Sequence, residues 1–333
     1  MKPPRLLPTI AAAMLSVTAT HAADQLKVLI IDGQNNHDWK ASTPVLQWIL
    51  EDSGRFTVDV STTPPSTPAA PRPPKDPNAD QQKKYEEDRA KWEQTKTDLE
   101  KQAARQWDEW RPQFDKYDVI VSNYNGQRWP ADVDKAFTGY VRNGGGLVIM
   151  HAADNSFSDW PEYNEMIGVG GWGGRNEKSG PMIRWRDGKQ VLDTSPGGGG
   201  THGKAAPYVV NIIVDKHPIT RGLPAAWLHA TDELYGRLRG PCKNLTVLAN
   251  AMSDKETNGT GEIEPVLMTI DFGKGRVFHD VLGHGPASMV DVGFQVTFAR
   301  GTEWAATGKV TLPVPKPADF ATDKIVERKP PAK

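Results

Sequence analysis

Three short apolar runs, each broken off by a polar or small-residue loop, constrain this chain more than any other feature. They are LKVLIIDG (26–33), YDVIVSNYNG (117–126) and GGGLVIMHAA (144–153). Each has the length of one strand and lacks polar alternation, as expected of a strand covered on both faces in a parallel sheet. FTVDV (56–60) alternates and reads as a further strand. Helices are expected over 43–52, with Pro44 at a first helical position, and over 131–142. Strand, helix, strand, helix, strand is the rhythm of right-handed crossovers. Ligands in such sheets bind beyond the carboxyl ends of the strands. That directs attention to the loops carrying His37, Asn123 to Gly126, and His151.

One segment breaks the rhythm. PPSTPAAPRPPKDP (64–77) is a stiff proline arm, and the charged run after it spaces Tyr85, Trp92 and Leu99 seven apart, with Ala103, Trp107 and Trp110 continuing the same face. A long charged helix over 79–110 is expected, inserted with its arm at 64–112. It is either a docking arm for a protein partner or a solvated helix lying along its own domain.

Lysine and arginine (40) nearly balance aspartate and glutamate (41), so no basic field exists to gather the phosphates of a nucleic acid. Residues 1–23 carry Lys2 and Arg5, an apolar run and small residues before Ala23, the layout of a secretory signal. A periplasmic or secreted protein follows from that reading. The main domain is expected over 24–320 and a disordered tail over 321–333. No later run approaches the ~20 apolar residues of a membrane span. The single cysteine, Cys242, excludes an internal disulfide.

In the second half, strands are expected over 208–214 and within NLTVLANA (244–251), and a hairpin over 266–272 and 276–282 that leads to His279 and His284. His217, before Pro218, and His229 read as structural. His37, His151, His202, His279 and His284 lie at strand ends or in glycine-rich loops, where a cluster could form. Such a cluster suits acid–base work, with a carboxylate holding a histidine tautomer, or a divalent metal held by imidazoles and a carboxylate. No local metal-ligand motif such as HExxH is present, so metal ligands would have to come from distant loops. Asp232 and Glu233 are the leading carboxylates, with Asp38 and Asp154 behind them. Trp39, Trp129 and Trp172 lie in polar or glycine-rich loops, where an indole offers a face to sugar C–H groups or braces the loop.

The segments GQNNHDWK, YDVIVSNYNG, GGGLVIMHAA, GGWGGR, HPITRGLP, DELYGRLRGP, GKGRVFHDVLGH and RGTEWAATG together resemble the ThuA-like family, named for a trehalose-utilisation protein. The resemblance implies an α/β, flavodoxin-like fold of the class I glutamine amidotransferase-like superfamily. It implies a catalytic histidine near position 279 and, in the amidotransferases, a cysteine at the elbow where this chain has His151. No Cys, Ser or Thr stands at that elbow, so glutamine chemistry lacks its nucleophile. The resemblance also points to carbohydrate as the small-molecule substrate.

The resulting expectation is an exported carbohydrate-processing enzyme, performing hydrolysis or isomerisation of a sugar or keto-sugar. His151 and His279 form its acid–base pair, with Asp232 or Glu233 orienting one of them. His37, Asp38, Asn125, Trp172, Arg175, His202 and His284 are expected to contact substrate, Asn36 to bond hydroxyls, and the metal is left open. The alternative is a non-catalytic sugar-binding or scaffolding module.

Overall fold

The computed structural model describes residues 25–66 and 70–331; the signal-like segment 1–23 lies outside them. The strands are β1 (Leu26–Asp32), β2 (Phe56–Thr62), β3 (Val119–Ser122), β4 (Gly146–Met150), β5 (Met182–Arg186), β6 (Lys189–Asp193), β7 (Thr201–His202), β8 (Ala206–Ile212), β9 (Ala226–Asp232), β10 (Tyr235–Gly236), β11 (Leu245–Met252), β12 (Ile263–Phe272) and β13 (Gly275–Asp280). Nine of them form one sheet in the order β2-β1-β3-β4-β13-β12-β11-β8-β9. The first five are mutually parallel. The last four extend the sheet by antiparallel neighbours. The parallel part has the flavodoxin-like order, whose reversal of connection lies between β1 and β3. Residues 119–122 and 146–150 are buried without a break, as unalternating apolar strands require.

Helices α1 (Trp39–Asp52), α2 (Ala79–Glu109), α3 (Ala131–Arg142), α4 (Pro161–Ile167), α5 (Pro286–Met289) and α6 (Val292–Thr307) complete the molecule. Helix α1 begins four residues before the expected start, because Asp38 accepts from the Ala41 amide and caps it there. Pro44 therefore lies inside the helix rather than at its first position. Helix α3 has the expected bounds. Helix α2 starts at a capping box between Asn78 and Gln81 and is studded with exposed i,i+4 ion pairs. Only Trp107 is buried on it, and the Trp110 indole donates to Ser61 Oγ at 3.0 Å beside β2. Its narrow stripe thus fixes its last turn.

The segment after Phe320, expected as a tail, docks instead. Val292 and Leu228 donate to the carbonyls of Val326 and Ala321, Arg328 donates through its amide to Val290, and its guanidinium reaches Gln295. Phe320 is buried against Trp227. Among the described residues no helix is long and apolar enough to cross a membrane.

Candidate active site

Strand direction assembles the site. Four successive antiparallel pairings separate β9 from β13, so both run the same way and end at the same rim as β1, β3 and β4. Past those ends come His37, Asn125, His151, Glu233 and His284. A cleft of about 360 Å³ opens there, walled by Asn36, His37, Asn125, Asn155, Trp172, His202, Glu233 and Tyr235.

His151 is the first residue beyond β4 and holds the left-handed backbone conformation, φ +42°. For a non-glycine residue that geometry is strained and concentrates at functional turns. The ring is 3 % exposed. Its Nδ1–H donates to the Val281 carbonyl at 2.6 Å, which fixes the tautomer and leaves Nε2 with a lone pair and no hydrogen-bond partner among the described residues. The turn after β4 thus carries an imidazole in a left-handed backbone conformation.

Around it the rings of His37, His284 and Tyr235 lie 5.0, 5.6 and 4.1 Å away, centroid to centroid. His37 and His284 meet edge to face at 4.3 Å. Burial, then repulsion from His151 and His284, lowers the His37 pKa to about 3. Burial also pushes His151 down, against the pull of Asp232. His37 is therefore a neutral imidazole near pH 7 and a weak base, in keeping with a contact role and not a proton-transfer role. The Tyr235 hydroxyl, 2.9 Å from His37 Nε2, stays a phenol because burial and nearby carboxylates raise its pKa. Glu233 lies 3.8 Å from His284 Nε2 and 3.7 Å from His202 Nδ1.

Other candidates fall elsewhere. His279 is fully buried, with Nδ1 donating to the Ile167 carbonyl at 2.8 Å and Nε2 3.3 Å from Asp154. It pairs with Ile149, still inside β4, so it lies under the end of α4 instead of past the rim. The expected partnership of His151 with His279 is thereby replaced by one with His37 and His284. Asp232 is buried behind the cleft. It accepts from the backbone amides of Glu233, Gly283 and His284 and from His229, so it holds the loops rather than a reacting group. Asp38 is the cap of α1. Arg175, 3 % exposed, is spent on Asn164 and on the carbonyls of Asn155, Ser156 and Gly171; it braces the glycine loop and does not reach substrate space. Trp172, Asn125 and His202 do line the cleft, and Asn36 accepts from Asn125 at 2.6 Å. Trp129 is a core ring.

Sequence reasoning missed two groups and the partners of a third. Tyr235 and Asn155 were passed over inside DELYG and HAADNS, although both follow strand ends. His229 was read as structural without partners. It is a fully buried imidazole bridging Asp291 at 2.7 Å and Asp232 at 2.9 Å. Burial opposes its charge, yet the two carboxylates raise its pKa to about 9, while that of Asp232 falls to about 2. Asp291 also caps α6, accepting from Phe294, so one charged triad ties α6 to the loop of His284.

Cys242 offers no substitute nucleophile: it lies in a loop outside the cleft lining, and burial pushes its thiol up to about 12.

The family model for ThuA, described as trehalose utilisation, matches residues 80–305. That range begins inside the segment read as an insertion and leaves His37 outside. No curated protein matches the chain. A crystallised protein described as ThuA-like from Parabacteroides merdae is 43 % identical, covering 92 % of this chain and 98 % of its own, with a TM-score of 0.76. Another described as ThuA-like, from Bacteroides uniformis, shares 18 % identity over 86 % of this chain and 93 % of its own at a TM-score of 0.50, a likeness of fold. The matched range spans well over half of the sequence, and the chain belongs to the ThuA family.

Proposed function

We propose that the cleft is the active site of a carbohydrate-processing enzyme, a hydrolase or isomerase acting on a sugar or keto-sugar without a covalent cysteine intermediate. The observation that carries this reading is the gathering of His37, His284 and Glu233 around His151, a buried, strained elbow residue whose Nε2 has no hydrogen-bond partner among the described residues. Histidines held neutral by burial, as His37 and His151 are, mark functional sites more than packing sites when they gather beside a polar cleft. The family's description as trehalose utilisation supports a sugar, as does the wall itself. Trp172 offers an aromatic edge, and Asn36, Asn125 and Asn155 offer amides to hydroxyl groups.

Within this reading His284 moves the proton, because its side chain is 40 % exposed and Glu233 stands beside it to orient the ring. Tyr235 donates a hydrogen bond as a neutral phenol, and His151 supplies a lone pair that cannot leave its place. Export through the segment 1–23 belongs to the same proposal.

The test is a panel of disaccharides and their keto derivatives, with products identified by mass spectrometry. H284A and E233Q are expected to lower kcat by about 10²-fold or more, while ligand-induced thermal stabilisation persists. No product from any member of the panel, or wild-type kcat in both variants, would remove the proposal.

A further inference from the structure

We infer that His37, His151 and Glu233 form the binding site of one divalent transition-metal ion, with Zn²⁺ as the reference species. Each can contribute one donor atom, and these atoms all lie within 4.8 Å of one another. They come from the ends of three different strands, β1, β4 and β9, so no local sequence motif announces them. A tetrahedral ion with bonds of ~2.0–2.2 Å holds its donors ~3.4 Å apart. Closing the present spacing takes side-chain movements on the order of an ångström.

The second observation is independent of that spacing. His151 is nine-tenths buried or more, and its Nε2 has no hydrogen-bond partner among the described residues. A buried polar nitrogen without a partner costs about 1–3 kcal/mol unless a ligand occupies it. Its Nδ1–H is committed to the Val281 carbonyl. Tying one ring nitrogen to a backbone carbonyl so that the other points at an ion is how metal-binding histidines are commonly oriented. Ring contacts place His37 and His284 beside this nitrogen's own ring.

The donor set selects the ion. Two imidazoles and a carboxylate suit zinc, manganese or ferrous iron, whereas magnesium and calcium require shells of oxygen. Three protein ligands leave one position open to the cleft, the arrangement of a catalytic rather than a structural site. An ion there would polarise a sugar carbonyl or acidify a bound water. His284 stands outside the set, 3.8 Å from Glu233, and stays available for proton transfer. This inference deepens the active-site reading and rests on it for its purpose, though not for its geometry.

The experiment uses the metal alone. Protein stripped with a chelator is titrated calorimetrically with ZnCl₂ and with MnCl₂, no sugar present, and retained metal is quantified after gel filtration. One ion per chain is expected. E233Q and H37A should each weaken binding by at least ~10-fold, the loss that disturbing even an outer partner of a metal site brings. H217A, whose ring packs on Trp304, should bind as wild type. E233Q and H37A alter cleft-wall residues, and a melting curve checks that each is folded; the buried His151 is left untouched. Absence of stoichiometric binding, or wild-type binding by both variants, overturns the inference. Binding without turnover of any sugar keeps the ion site and removes the enzymatic reading. Turnover by stripped protein that binds no ion does the reverse.

Discussion

His229 supports the loop of His284 without lining the cleft. Its imidazolium lies between two buried carboxylates, and through Asp232 it fixes the amides of Gly283 and His284. Removing the partner of a buried charge strands the other charges, at about 3–5 kcal/mol. H229A should therefore lower stability in urea by roughly that amount, whereas an exposed histidine such as His202 should cost little on replacement. The pH dependence has a definite sign. The folded pKa of His229, about 9, exceeds its ordinary 6.5, so its contribution is complete below 6.5 and is lost as pH rises from there through 9. The folded pKa of Asp232, about 2, is below its ordinary 3.8, so its contribution is present above 3.8 and fades as pH falls through 2. Urea midpoints measured across pH should decline on the alkaline side in the wild type and lose that decline in H229Q. An unchanged alkaline arm in H229Q would show that the triad is not charged. Nothing in LHATDELY announces this triad, because Asp291 is 62 residues away in sequence.

At the scale of elements, close approach between α6 and the sheet depends on missing side chains. A Cβ on Gly301 would stand 2.1 Å from the Phe278 ring, and one on Gly146 would stand 2.6 Å from the Ala305 backbone. G301A should destabilise the protein by about 1–3 kcal/mol, as overpacked cores do, although alanine is the better helix former. A thermal melt at or above that of the wild type would show that α6 has room to shift. Strands β1, β3 and β4 were readable because burial on both faces leaves unbroken apolar runs. The hairpin of β12 and β13 was readable from its two-residue Gly-Lys turn. Strands β8 and β11 were expected too, but β9 and the antiparallel pairings that join these three into the sheet were not, since alternation carries no partner information. The reading of a tail after Phe320 failed over its described residues, 321–331, for a related reason. Its hold comes from backbone bonds to Val292, Val290 and Leu228, which composition does not record.

Across the whole molecule, a parallel sheet gathers loops from remote parts of the chain at one rim, and the candidate residues His37, Asn125, His151, Trp172, His202, Glu233 and His284 meet there. Strand ends followed by polar loops were the legible signal. His279 was misjudged because it lies one residue short of its strand end, where alternation turns the side chain under α4. Tyr235 was missed because a buried tyrosine looks like core until its hydroxyl is seen against His37. The central claim is that this rim receives a sugar, and imidazole nitrogen NMR during titration with the keto-disaccharide panel tests it most directly. Ring signals of His37, His202 and His284 should move together on saturation while those of His217 and His229 stay fixed. Unmoved signals from all three rim histidines, or shifts as large at His217, would contradict it.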